Sequence, residues 1–366
     1  MIKENKYIKH GIVVAATIII AATATSGIKP IITRCNQPKS FNMQVAGGEL
    51  SSLKNADAWI NPPPLTSTDL KGKVVLIQFG TYTCINWIRT LPYIRAWKEK
   101  YSDHGLIVVG VHTPEFAFEK NIDNVRRAMT DMKIDLPIAI DNNYSIWNAF
   151  NNQYWPAIYL IDAKGRVAHR QFGEGGYEET EKMMQQLLAD AGAKVINSAI
   201  IPVNGKGIET SADWGNLGSQ ENYLGIARTE GFLSHHSGEA TGKQYAYKLP
   251  LKLQLNQWGI SGDWTTDKNS IISNSSNGKI IYRFHARDLH LVMGPVVTGT
   301  KVRFRVLIDD KVPGPDHGKD IDEQGYGFAD NQRLYQLIRQ SGVISDHSFT
   351  IEFLDPGAEA FSFTFG

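Results

Sequence analysis

Cys84 stands in the stretch TYTCINW, just after the apolar run VVLIQF (Val74 to Phe79) and Gly80, and just before residues that recur at helical spacing. A sulfur on such a strand-to-helix junction faces the unpaired N–H groups of the first helical turn and the positive end of the helix dipole. Both favour the thiolate, and the thiolate is the form that attacks a disulfide. The competing reading is a free cysteine that behaves as a small buried hydrophobe. Position at the head of a helix favours the reactive reading. The other cysteine, Cys35, lies in a polar stretch far from Cys84 and reads as an incidental thiol. Thr33 and Arg34 precede it where lipid attachment wants small residues.

The elements around Cys84 must then hold it at the edge of a sheet. VVLIQF is rich in β-branched residues without alternation, as expected for a strand buried on both faces. Trp87, Leu91, Ile94 and Trp97 follow at steps of three and four, which predicts a helix with Pro92 inside it. LIVVGVH (Leu106 to His112) predicts a second buried strand, and Ile122, Val125, Ala128 and Met129 a second helix, giving a βαβ crossover. AIYLID (Ala157 to Asp162) and RVAHRQF (Arg166 to Phe172), joined by Ala163-Lys164-Gly165, predict a hairpin. An amphipathic helix over Tyr177 to Ala191 completes the order β-α-β-α-β-β-α.

Residues 195–222 are rich in Gly, Asn and Ser and read as a linker without a sustained hydrophobic face, so the parts on either side are expected to be separable. Beyond it, alternation with period two dominates. LKLQL (Leu251 to Leu255), KIIYRFHA (Lys279 to Ala286), LHLVM (Leu289 to Met293), KVRFRVLI (Lys301 to Ile308), FTIEFL (Phe349 to Leu354) and FSFTF (Phe361 to Phe365) predict an antiparallel sandwich or jelly roll over residues 223–366.

The N-terminus carries Lys3, Lys6 and Lys9, then an apolar run from Ile12 to Ala24, then Thr25, Ser26 and Gly27, the pattern of an export signal. Ala22-Thr23-Ala24 offers a cleavage site, while Ile28, Ile31 and Ile32 extend the apolar character of an uncleaved anchor. Residues 1–27 are therefore read as signal peptide or signal anchor and residues 28–54 as a tether. In both cases the rest of the chain faces outward, in the periplasm or on the outer face of the membrane, and only this segment touches lipid. A chain of 366 residues suggests two domains at roughly 150 residues each. Its net charge of +1 argues against nucleic acid as a partner.

AWINPPPLTSTDLKGKVVLIQFGTYTCINWIRTLPYIRAW, GVHTPEFAFEKNIDNVRRAM, YWPAIYLIDAKGRV and FGEGGYEETE resemble the exported thioredoxin-like domains of the redoxin group, DipZ and TlpA types, over residues 55–194. WGISGDW, RFHARDLHLVMGP, RLYQLIRQ and EFLDPGAEAFSFTFG resemble the β-sandwich that follows in the DipZ type, itself similar to carbohydrate-binding modules. The resemblance implies an α/β thioredoxin-like fold, thiol redox or antioxidant activity at Cys84, and a cis bond before Pro156 whose flanking backbone pairs with substrate. Trp155, Trp87 and Tyr82 would form an aromatic rim, and Glu115 in HTPEF would accept the thiol proton when burial raises its pKa. No cofactor or metal is implied.

One departure matters. The family motif is Cys-X-X-Cys, and this chain reads Cys84-Ile85-Asn86-Trp87. Without the second sulfur, a mixed disulfide at Cys84 must be released by a small thiol, by Cys35, or by a partner protein. Reduction of a peroxide through a sulfenic acid needs such a thiol too. The alternatives are a redox-inactive scaffold kept for docking, or a glycan- or protein-binding module carried by the sandwich.

Arg89 is placed either near the thiolate or in solvent, and His112 is read as a hydrogen-bonded structural residue. Asp320-Ile321-Asp322-Glu323-Gln324-Gly325 imitates the start of a calcium loop, but Asn331 stands where the bidentate Glu belongs. His235, His236 and His317 have no zinc spacing. Trp258 and Trp264 are read as core rather than as a sugar platform.

Overall fold

The computed structural model describes residues 49–61, 64–194, 197–234 and 242–366. The export signal, Cys35, His235 and His236 lie outside the described residues.

The first half alternates strands and helices: β1 (Ala58–Ile60), α1 (Ser67–Leu70), β2 (Val74–Gly80), α2 (Ile85–Tyr101), β3 (Leu106–His112), α3 (Ile122–Asp131), β4 (Ile138–Ile140), α4 (Ser145–Ala149), β5 (Ala157–Ile161), β6 (Val167–Phe172) and α5 (Tyr177–Asp190). The strands form one sheet in the order β1-β4-β3-β2-β5-β6, with β2, β3 and β4 parallel, β5 antiparallel to β2, β6 antiparallel to β5, and β1 antiparallel to β4. This is the thioredoxin-like fold. All seven residues of β2 are buried, because apolar clusters cover both faces of the sheet. Trp87 of α2 lies flat on the sheet over Gly80, where a Cβ would clash with the indole ring.

The second half follows as β7 (Asn222–Tyr223), β8 (Gln244–Tyr247), β9 (Trp258–Thr266), β10 (Ile271–Ser273), β11 (Gly278–His285), β12 (Asp288–Pro295), β13 (Val302–Ile308), β14 (Tyr326–Ala329), β15 (Arg333–Arg339), β16 (Asp346–Phe353) and β17 (Ala358–Phe365). They make one antiparallel curled sheet, in the order β14-β13-β16-β11-β9-β10-β17-β12-β15, with β7 on β17 and β8 on β9. The strand β9 serves both layers of the sandwich. Trp258 to Ser261 pair with β11, whereas Gly262 to Thr266 pair with β8 and β10. Gly262 sits at this corner with φ of +95°, a conformation that costs a glycine little.

Trp258 and Trp264, at 1% and 0% exposure, face the core between the layers, which removes them as a sugar platform. The stretch WGISGDW is thus a strand rather than a connection between strands. LKLQL is the reverse case. It follows Pro250 as irregular chain, with Leu251 fully exposed, and its alternation is not used by any sheet. Asp320 and Asp322 are taken up locally. The first pairs with Arg333 at 2.9 Å, and the second closes its own turn on the N–H groups of Gln324 and Tyr326.

The polar linker led to an expectation of separable halves, yet the two sheets share a buried apolar contact. Phe361, Val292 and Leu334 of the sandwich belong to the same cluster as Ile88, Phe116 and Met129. Phe361 meets Phe116 and Phe118 with ring centroids 5.2 and 4.8 Å apart. The linker is pinned as well: the N–H of Ile201 donates to Glu181, and Ile201 and Ile208 pack on the cluster. Truncating Phe361 to alanine should therefore cost about 3–5 kcal/mol and split a single urea transition into two. Two transitions already present in the wild type would show that the shared contact does not couple the halves.

Candidate functional site

Parallel pairing of β2 with β3 runs to the last residue of each strand, Gly80 against His112, and Thr113 donates its N–H to the Gly80 carbonyl. The loop 81–84 therefore lies beside the loop 113–119. Cys84 is the N-cap of α2, with φ −78° and ψ 110°, and its side chain makes no capping bond. Its sulfur sits where a capping acceptor normally sits, half-buried, beside the first-turn N–H groups.

Glu119 ties the two loops together and was not anticipated from the sequence. It is fully buried. One carboxylate oxygen accepts from Thr83 Oγ1 at 2.5 Å, and the other accepts the N–H groups of Glu115 and Phe116 at 2.6 and 2.9 Å. Burial raises its pKa and these donors oppose the rise. His112 lies under the same loop, its Nε2 at 3.0 Å from the Glu119 carbonyl and its ring stacked on Tyr82. Burial pushes its pKa down to about 4, consistent with a structural imidazole.

The Trp155–Pro156 peptide bond is cis, and the Trp155 carbonyl is 3.9 Å from the Cys84 sulfur. Trp155 is held by its Nε1–H to the Thr113 carbonyl at 3.0 Å and by Trp147, 4.3 Å away between ring centroids. The aromatic rim is smaller than expected. Trp155 lines the opening over the sulfur, but Tyr82 and Trp87, each 4% exposed, belong to the core because the inward face of α2 and its preceding loop packs on the sheet. Tyr82 turns its hydroxyl to the Gln332 carbonyl in the sandwich, at 3.4 Å. Arg89 faces neither the sulfur nor solvent. It is buried against Glu174 at 3.3 Å, and burial pushes the Glu174 pKa up to about 7.

Cys84 opens into a cleft of about 660 Å³ whose far wall is the segment 220–230, assigned to linker and early sandwich from the sequence. Glu115 lies in this cleft. Its Oε1 accepts from the Tyr223 hydroxyl at 2.6 Å and from Arg228 Nη1 at 2.9 Å, and Arg228 also stacks on the Tyr223 ring at 3.5 Å. Burial raises the Glu115 pKa, with Arg228 and Tyr223 opposing. Glu221 is pushed up to about 8, first by burial and then by the charge of Glu115. No local signal announces this wall, since the Glu115–Tyr223 bond spans 108 residues of chain.

Residues 46–188 match the Redoxin family model, and residues 219–366 match the model for a thioredoxin-like C-terminal domain. Protein DipZ of Mycobacterium tuberculosis is 38% identical over 264 residues, which cover 70% of this chain and 36% of DipZ. The chain thus spans about a third of that relative's length. The thiol-disulfide oxidoreductase YkuV of Bacillus subtilis is 28% identical over 141 residues, 38% of this chain and 95% of YkuV. A solved thioredoxin-like protein in its oxidised form is 31% identical, with 37% of this chain and 90% of that one covered and a TM-score of 0.34.

Because Glu119 bonds across to Thr83 and holds its own loop through the N–H groups of Glu115 and Phe116, Glu119→Gln should cost about 1.5–3 kcal/mol in urea unfolding. Hydrogen exchange should speed up in peptides covering 81–84 and 113–119, with β17 unchanged. A uniform acceleration across the sheet would mean that Glu119 is a general core residue rather than the tie between the loops.

Proposed function

We propose that this chain, whose residues 46–188 match the Redoxin family model and whose residues 219–366 match the model for a thioredoxin-like C-terminal domain, exchanges thiols and disulfides through the single sulfur of Cys84. The observation that carries this reading is the placement of the sulfur: at the head of α2, open to a cleft, and 3.9 Å from the Trp155 carbonyl of the cis-proline loop. In the reaction, the Cys84 thiolate attacks one sulfur of a substrate disulfide. A new S–S bond forms to Cys84, the old one breaks, and the departing thiolate takes the electron pair and then a proton. Glu115, in the same cleft, is the carboxylate proposed to receive the proton of Cys84. Pro156 and Trp155 would present the backbone against which a substrate peptide lies.

Position 87 carries a buried indole where a dithiol would hold its second sulfur, so release is assigned to a thiol from outside the thioredoxin-like half. That thiol attacks the mixed disulfide, forms a new disulfide with the substrate sulfur and returns Cys84 to its thiolate. YkuV is named a thiol-disulfide oxidoreductase, which supports the reaction class. The same sulfur supports an antioxidant role through a sulfenic acid. An exported location is proposed from the lysines and the apolar run at the N-terminus; among the described residues no helix is long and apolar enough to cross a membrane.

Incubated with a disulfide peptide, the full chain should accumulate a mixed disulfide that Cys84→Ser abolishes and Cys35→Ser leaves in place. Trp87→Cys should shorten its lifetime by forming an internal disulfide, at a cost of about 3–5 kcal/mol in stability for the hole left over Gly80. If the adduct forms only at Cys35, the assignment of Cys84 is wrong.

A further inference from the structure

The wall at 220–230 gives the cleft a charge imbalance. Glu115 and Glu221 line it, and among the described residues Arg228 is its single cationic side chain. Arg228 is committed to Glu115 by a 2.9 Å ion pair and by stacking on Tyr223. Its charge is therefore largely spent before a ligand arrives. Glu221 lines the same cleft as Glu115 and Cys84, and like charges close together strengthen each other's need for a counter-charge.

Resting on the thiol-exchange reading above, we propose that Glu221 is a specificity-determining residue, supplied by the sandwich, that selects thiols and disulfides carrying a cationic group next to the reacting sulfur. An ammonium or guanidinium held between Glu221 and the sulfur supplies the positive charge that Arg228 does not. Burial and then the Glu115 charge raise the Glu221 pKa, with Arg228 and the Tyr223 hydroxyl opposing the rise, so preference for cations grows with pH as the carboxyl ionises. The sandwich then acts in the reaction as one wall of the cleft.

The experiment compares three disulfides on the full chain carrying Cys35→Ser: cystamine, which is cationic, hydroxyethyl disulfide, which is neutral, and dithiodipropionate, which is anionic. Rates of mixed-disulfide formation at Cys84 are read by intact mass and divided by those of a short peptide copying residues 80–88. The normalised cystamine-to-dithiodipropionate ratio should be roughly tenfold, should rise with pH over the range in which cystamine stays cationic, and should shrink with added salt. Glu221→Gln should bring it close to the peptide's value and remove its pH dependence. The salt titration on the parent protein carries the test if that variant misfolds. A normalised ratio near one that is insensitive to salt overturns the inference while leaving thiol exchange standing. Failure of Cys84 to react with any of the three overturns the thiol-exchange reading, and this inference with it.

Discussion

Everything around the sulfur depends on how far β2 and β3 stay in register. Their parallel ladder continues without a bulge from Val74 against Leu106 to Gly80 against His112. Had it ended two residues earlier, the loops 81–84 and 113–119 would diverge. Because it does not, Thr83 and Glu119 come within hydrogen-bond reach, and the carboxylate is buried with three donors around it. An isolated carboxylate in such a place would be expelled or neutralised. The three donors offset much of that desolvation, and breaking one of them leaves a buried polar group unpaired.

The same register explains why Trp87 sits where it does. Gly80 ends β2 directly below the first turn of α2, and with no Cβ there the indole lies against the strand. The helix thus keeps its height above the sheet by packing rather than by a sulfur. Cys84-Ile85-Asn86-Trp87 thus puts its indole in the core and its sulfur on the helix cap. On these grounds Trp87 is a packing residue.

What the sequence made legible follows the length scale of the interactions. VVLIQF and LIVVGVH are continuous apolar runs, and their burial on both faces is a local property, so β2 and β3 were read to within a residue. The cysteine at the helix head was legible for the same reason. Alternation proved a weaker guide. LKLQL alternates but follows Pro250 and pairs with nothing, while WGISGDWTT, broken by Gly and Asp, is the strand that joins both layers. Glu119 and the wall formed by Tyr223 and Arg228 gave no signal, because a glutamate in a polar loop and an arginine at the start of the sandwich look solvated until the fold brings them together. Glu115 lines the same cleft as the sulfur, and its partners come from the other half of the chain.

Those partners change what the sandwich is for. A domain joined by a flexible tether would leave the sulfur open to any disulfide that diffuses to it. Here the linker is pinned to α2, through Arg95 with Glu209 and Lys100 with the Ala199 carbonyl, and to α5, through the Ile201 N–H with Glu181, and Phe361 is buried against Phe116 and Phe118. The wall at 220–230 is therefore held at a fixed distance from Cys84 by packing on one side and by the Glu115–Tyr223–Arg228 bonds on the other. In the thiol exchange proposed for Cys84, the substrate and the releasing thiol would both meet the sulfur across this wall, so the groups lining the cleft would act on each of them.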